Sequence, residues 1–335
     1  MRIGFNPNKD KKIETSEYFH QVIIPVYIPN EDGYFKDSFQ ILKYCLESLF
    51  KTSHANTYFT IVNNGSCEKV VDFLNDLYQK RVIHELIHTT NIGKLNAILK
   101  GLTGHFFELI TITDADVLFL NGWQKATYKV YDAFPKVGAV SPVPNSKLCK
   151  YLTENVIFDN LLNKKVQIKK TKNPEAMLKF AKSIGNPNLY NNTNLNKCLV
   201  IENNDITALV GAGHFVATYR GDIFNSFKNR YTNHLMGSGE GFFIDNPVVE
   251  NGFWRLSTYD NYAYHLGNTL EIWMQEKFKE LNNEECSFSI KKLNYFPNNF
   301  KFIKHYFFKK LIFNKMIWVF YLRSKGLKKD EALDF

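Results

Sequence analysis

The stretch "LITITDADVLFL", residues 109–120, decides how this chain is read. Asp114 and Asp116 interrupt a run of apolar and β-branched residues that otherwise has the makings of a buried strand. Carboxylates withdrawn from water are costly unless something compensates their charge. Two compensations are open. The aspartates can cap the turn that follows the strand through the neighbouring backbone, a common use of this residue type. Alternatively, two hard oxygen donors converge on Mg²⁺ or Mn²⁺, and the ion in turn grips substrate phosphates.

Outward from this stretch, short β-rich runs alternate with helical patterns. "QVIIPVYI" (21–28) reads as a strand and "DSFQILKYCLESLF" (37–50) as an amphipathic helix with Phe39, Leu42, Cys45, Leu46 and Leu49 on one face. "TYFTIVNNGS" (57–66) is a strand ending in a turn, "CEKVVDFLNDLYQK" (67–80) a second helix, and "IGKLNAILKGL" (92–102) a third, set between the strands of 81–91 and 106–114. Helix and strand signals continue through 122–134 and 136–143. This alternation predicts an α/β fold with a mainly parallel sheet covered on both faces. Ligands of such sheets bind outside the carboxyl ends of the strands. Asn63-Asn64-Gly65 and Asp114-Ala115-Asp116 both fall at strand ends and are expected to share one crevice.

After Pro144 the rhythm changes. Residues 145–205 are rich in Lys and Asn and read as an insertion with a helix over Pro174–Ile184 and a mobile loop. Residues 206–220 restore strand character around a glycine turn, 237–252 enclose a short helix, and 253–268 read as a strand.

With 335 residues, 44% of them hydrophobic, the chain has ample material for a large core. Its five cysteines are odd in number and contain no CxxC pair, which argues against a disulfide framework or a structural zinc and fits a reducing compartment. The N-terminus lacks the apolar segment of a secretory signal, and no uncharged run approaches the ~20 residues of a membrane span. A cytoplasmic protein is expected. The net charge of +9 resides in one place: residues 301–329 carry nine Lys/Arg and no acid.

The motifs "IIPVYIP" (23–29), "IVNNGS" (61–66), "TNIGKLNA" (90–97), "TDADV" (113–117), "GAGHF" (211–215), "GSGEG" (237–241) and "YHLGN" (264–268) occur in the order seen in glycosyltransferase family 2, which the chain resembles over roughly 20–270. The resemblance implies a GT-A fold, Rossmann-like, with a domain over 18–270. Its nucleotide-binding half would be 18–144 and its acceptor half 145–270, followed by a helical, basic and aromatic tail over 271–335. It puts Pro25, Val26 and Tyr27 beside the nucleoside base, with Asn63 where the family usually has an aspartate. An amide both accepts and donates, so the identity of the base stays open. Asn91 would shape the turn before Lys94, and Lys94 would face the nucleotide or serve as an ordinary solvated helix residue. Asp114 would lie near the ribose or the metal, Asp116 would ligate Mn²⁺ or Mg²⁺, and His265 would supply a third ligand.

An inverting transfer also needs a base on the far face of the sugar. The family has a Glu-Asp pair there. Here Glu240 is followed by glycine, which leaves Glu240 as first candidate and Asp245 as second. Gly213 and His214 would approach the donor sugar, diphosphate or acceptor, or the glycines merely form a turn. The implied partners are a nucleoside diphosphate sugar, with UDP-sugar favoured, and a glycan or lipid-linked acceptor of cell-surface polysaccharide.

The tail over 300–329 interleaves lysines with aromatic residues. Such a segment lies on an anionic membrane, or packs its rings on the domain with lysines outward. No nucleic-acid recognition motif accompanies its charge. Two rival classes remain open: a nucleotidyltransferase, although "PVYIPNEDGYF" lacks the glycine-rich basic loop such enzymes place after the first strand, and a nucleotide-sugar-binding module without turnover.

Overall fold

The strand His20–Val26 (β1) is buried at every position. It lies between two parallel neighbours, Thr57–Asn64 (β2) and Leu109–Thr113 (β4), and Glu85–Thr89 (β3) pairs in parallel outside β2. Burial on both faces is why β1 reads as a continuous apolar run instead of an alternating one. The computed structural model describes residues 4–12, 16–226, 231–236, 239–284, 293 and 300–335.

The connecting helices are Ser38–Thr52 (α1), Glu68–Gln79 (α2), Lys94–Gly101 (α3) and Trp123–Ala133 (α4). On α1, Leu42, Cys45, Leu46 and Leu49 are fully buried, the stripe expected from their spacing. The remaining strands are Val117–Phe119 (β5), Val137–Ser141 (β6), Val166–Lys170 (β7), Lys197–Asn203 (β8), Ile206–Val210 (β9), Val216–Arg220 (β10), Trp254–Thr258 (β11) and Ala263–His265 (β12).

One ten-stranded sheet has the order β3-β2-β1-β4-β10-β6-β11-β9-β8-β7. Followed through its pairings, β1, β2, β3, β4, β6, β8 and β11 run one way, and β7, β9 and β10 run against them. The predicted α/β architecture with a mostly parallel central sheet is therefore the one observed. Residues from both expected halves, 18–144 and 145–270, contribute to this single sheet.

Two local readings change. The region 145–205 holds more regular structure than a loop: β7 and β8 pair antiparallel and extend the sheet beyond β9. Asn173 caps the helix Pro174–Ser183 by accepting from the Ala176 N–H, and a further short helix covers Asn192–Asn196. Lysine and asparagine mask the strand signal there because β7 sits at the sheet edge, half in water. The run 253–268 also divides, with β11 in the main sheet and β12 in a separate two-stranded sheet with β5. That division sets His265 opposite Val117, next in sequence to Asp116.

The C-terminal helices belong to the core. Phe308, Ile312, Trp318, Tyr321 and Leu322 pack into the same apolar cluster as Leu109, Val140 and Leu256. No helix among the described residues is long and apolar enough to cross a membrane. Trp318, only 1% exposed, is the largest side chain the tail contributes to this cluster. Replacing Trp318 with Ala is expected to lower stability by ~3–5 kcal/mol through the cavity it leaves. Urea denaturation measures this, and an unchanged midpoint would show the tail to be dispensable to the core.

Candidate active site

At the end of β4 the chain leaves the main sheet, and the three residues Asp114-Ala115-Asp116 carry it across to β5. Backbone groups hold this break: the Asp114 N–H donates to the Phe215 carbonyl at 2.8 Å, and the Leu266 N–H donates to the Asp116 carbonyl at 2.7 Å. The carboxylates are thereby left to face a cavity. Asp116 Oδ1 is buried without a hydrogen-bond partner. Burial pushes the Asp116 carboxyl up to about 6, against the pull of nearby His265.

The β5–β12 pairing brings His265 Nε2 to 3.4 Å from Asp116 Oδ2. The other imidazole nitrogen, Nδ1, lies 2.9 Å from the Ser183 hydroxyl, and the rings of Phe180 and Phe215 meet the imidazole edge-on. One ligand atom from each of Asp114, Asp116 and His265 falls within 4.8 Å of the others. Two carboxylates and an imidazole, with an orphaned buried oxygen among them, form a donor set that fits Mn²⁺ or Mg²⁺. The Ser183 contact fixes the ring as an outer-shell partner does in metal sites.

Lys94 begins α3 and is aimed by its neighbours. Gly93 has φ +90°, a Cβ there would lie 2.5 Å from the His234 carbonyl oxygen, and the Lys94 N–H donates to the Leu235 carbonyl at 3.0 Å. Lys94 Nζ stands 2.5 Å from Asp114 Oδ1 and 2.8 Å from Glu240 Oε1. Burial alone would discharge it. The two carboxylates outweigh that and hold its proton more tightly than usual.

Glu240 Oε2 is 3.4 Å from His214 Nε2, and His214 Nδ1 is 3.5 Å from Asp245 Oδ2. Asp245 is fully buried; its Oδ1 accepts from Arg255 Nη2 at 2.8 Å and from the Tyr219 hydroxyl at 3.1 Å. The site is thus a chain of alternating sign, running from Asp114 through Lys94, Glu240, His214 and Asp245 to Arg255.

Two cavities meet at this chain. One, of about 600 Å³, is lined by Pro25, Val26, Tyr27, Asn91, Asp116 and Met236 among others. The second, of about 530 Å³, is lined by Leu148, Tyr151, Phe180, Gly213, His214 and His265 among others. Lys94 and Asp114 line both.

Most of the residues singled out in the sequence therefore converge. Asn63 lies outside both linings: its Oδ1 accepts from the Ser66 N–H at 3.0 Å, and its Nδ2 lies 2.9 Å from His88 Nδ1. Strand alternation presents Asn64 to the first cavity instead, where its Oδ1 accepts from the Ile92 N–H at 2.9 Å. In "GAGHF", Gly211 serves a close backbone approach, since at φ +108° its Cβ would lie 2.5 Å from the Leu148 carbonyl oxygen. Gly213 meets no such obstacle and opens onto the second cavity.

Sequence reasoning missed Tyr151 and Arg255. A charged residue inside the apolar strand "FWRLST" is a readable sign of a buried partner; Tyr151 gives no sign. Its role emerges from Gly241, where a Cβ would fall 2.5 Å from the Tyr151 hydroxyl. Tyrosine occupies the space that the second acid of the expected Glu-Asp pair would need.

Residues 21–188 match the family model described as Glycosyl transferase family 2. The chain belongs to glycosyltransferase family 2. Its mixed α/β architecture is the GT-A arrangement implied by its motifs. A search of curated proteins finds no match. Among solved structures, this family 2 chain is similar to S. aureus TarS 1–349, at 12% identity and a TM-score of 0.45, over 73% of this chain and 59% of that one. It is also similar to the mannosyltransferase PcManGT from Pyrobaculum calidifontis, solved in complex with GDP-Man and Mn²⁺, at 14% identity and a TM-score of 0.40, over 77% of this chain and 61% of that one. The TarS 1–349 complex with UDP-GlcNAc matches at 11% identity and a TM-score of 0.44, over 93% of this chain and 69% of that one. The chain thus spans about three fifths of the length of TarS 1–349, 59%.

The Asp245 carboxylate beside it raises the affinity of His214 for its proton, with the charge of Glu240 adding to this against burial. An NMR titration is expected to place this imidazole above its ordinary 6.5 and to bring it down in Glu240→Gln. A His214 that titrates at or below the ordinary value would break the alternating chain at its centre.

Proposed function

We propose that this chain is a metal-dependent transferase that moves a sugar from a nucleoside diphosphate donor, with a UDP-sugar favoured, to a glycan or glycolipid acceptor of cell-surface polysaccharide. The observation that carries this reading is the position of Lys94, which bridges Asp114 and Glu240 where two cavities join. One cavity has the aromatic and amide walls suited to a nucleoside, and the other has the Tyr151 and His214 edges suited to a sugar hydroxyl.

In this reading Pro25, Val26, Tyr27 and Asn64 receive the nucleoside, and Asn91 shapes the turn that delivers Lys94 to the diphosphate. Asp114, Asp116 and His265 would hold Mn²⁺ or Mg²⁺, which when bound offsets the charge of the diphosphate and of the departing nucleoside diphosphate. Lys94 adds a fixed positive charge at the same place, and its effect grows as negative charge collects on the leaving group.

Glu240 takes the proton of the acceptor hydroxyl. The freed oxygen attacks the anomeric carbon, the sugar–phosphate bond breaks, and its electron pair leaves with the nucleoside diphosphate. A single displacement of this kind inverts the anomeric centre. Burial of Asp245 and its engagement by Arg255 and Tyr219 favour Glu240 over Asp245 as the base, because a base must reach the acceptor. Asp245 then positions His214 beside Glu240.

Calorimetry with nucleoside diphosphate sugars tests the donor half of the proposal. Wild-type protein is expected to bind one of them far more tightly with Mn²⁺ than without, and Asp116→Ala to lose that difference. Donor binding indifferent to divalent cations would refute metal dependence. For the acceptor half, Glu240→Gln is expected to keep donor affinity while turnover falls about 10²–10⁴-fold. Full turnover in Glu240→Gln would remove it from the role of base.

A further inference from the structure

The helical segments Ile303–Phe308 and Lys309–Ile312 bury one lysine on their inner face and carry an apolar stripe on their outer one. Their buried stripe is Lys304, Phe308 and Ile312, spaced four apart. Lys304 is only 6% exposed and reaches Asp159 Oδ1 at 2.8 Å. The opposite stripe faces outward and is made of Phe302, Ile303, Tyr306, Phe307 and Leu311, with Phe302 at 62% and Phe307 at 64% exposed. A helix meant for water does the reverse, sending lysines out and rings in.

The next helix, Lys315–Ser324, repeats the division. It buries Trp318, Tyr321 and Leu322 and leaves Met316 and Phe320 outward, Phe320 being 72% exposed. Exposed apolar residues this dense mark a surface that meets something. The tail is thus divided between the two roles open to it: one stripe closes the core and the other is left unpartnered among the described residues.

The charges around this stripe indicate what it meets. Residues 301–329 contain nine Lys/Arg and no acid. Lys301, Lys304 and Lys309 are held by Glu250, Asp159 and Glu154. Lys310 and Lys315, beside the exposed rings, are themselves exposed and make no ion pair among the described residues. Aromatic rings settle at the boundary between headgroups and acyl chains, and lysines with free ammonium groups meet lipid phosphates just above it.

We propose that this outward stripe, with Lys310 and Lys315, is a docking surface for an anionic lipid bilayer. It rests on the proposed function only in that a lipid-linked acceptor gives the enzyme a reason to be there. The helices are too short and too charged to cross the bilayer, so the contact is peripheral and reversible.

Co-sedimentation of the full chain with vesicles tests this, using phosphatidylcholine alone and phosphatidylcholine mixed with phosphatidylglycerol. The wild-type chain is expected to pellet with the mixed vesicles, to stay in solution with the neutral ones, and to be released by high salt. Lys310→Ala with Lys315→Ala is expected to weaken binding about fivefold for each lysine removed. Phe302→Ser with Phe307→Ser is expected to weaken it further. All four side chains are exposed, and thermal unfolding of each variant confirms that its fold is retained. No pelleting with anionic vesicles, equal pelleting with neutral ones, or variants that bind as wild type would overturn the proposal. So would a lipid-free dimer, seen in analytical ultracentrifugation, that the same substitutions dissolve, since the occupant would then be a second copy of this chain. Donor calorimetry on the same preparation keeps the two readings apart: a chain that binds nucleotide sugar but no vesicle loses only the membrane surface.

Discussion

The site is organised by one lysine. Lys94 Nζ lies within ion-pair distance of two carboxylates far apart in sequence, Asp114 from the end of β4 and Glu240 from the N-cap of the helical turn Gly241–Asp245 that runs into the helix Asn246–Glu250. Neither acid is well solvated, and two carboxylates brought this close without a cation would repel and desolvate each other. The lysine must therefore be charged and exactly aimed, which explains why the backbone around it admits so little freedom at Gly93. Asn96 reinforces the arrangement by exchanging hydrogen bonds with the backbone of Thr232, tying α3 to residues 231–236, of which Leu235 and Met236 line the first cavity.

From that bridge the polar contacts extend in both directions. Towards the sheet's carboxyl ends lie Asp116 and His265, and towards the second cavity lie His214, Asp245 and Arg255. Asp245 and Arg255 are both fully buried, an arrangement whose gain in stability is small once desolvation is counted. Its gain is in geometry. A carboxylate fixed by an arginine and a tyrosine cannot follow a substrate, so it can orient His214 without competing for the acceptor's proton.

The parts of this arrangement that were legible in the sequence are those written by local rules. Continuous apolar strands, helix stripes and the position of acids at strand ends follow from periodicity and from the geometry of parallel sheets, and they located Asp114 and Asp116, whereas Lys94 was legible only through the motif it stands in. His265 was legible only as a motif, because its approach to Asp116 depends on the β5–β12 pairing, a contact made across more than a hundred residues. The edge strand β7 was hidden by the lysines at its half-solvated end. Asn63 and Asn64 differ by one position in a strand of known direction, yet which of the two meets the cavity depends on the face presented, and a shift of one residue reverses that.

The departure at Gly241 shows how a site can retain its charge pattern while exchanging residues. In the Glu-Asp pair that the motifs lead one to expect, the second acid would sit at 241; here a side chain at that position would collide with the Tyr151 hydroxyl. Tyr151 comes from the start of the Lys/Asn-rich region, so this close approach couples the turn after Glu240 to a segment that lines the second cavity. A neutral hydroxyl in place of a carboxylate leaves Glu240 with Lys94 and His214 as its only charged neighbours among the described ion pairs. With tyrosine in that place, Lys94 and His214 both approach a single carboxylate.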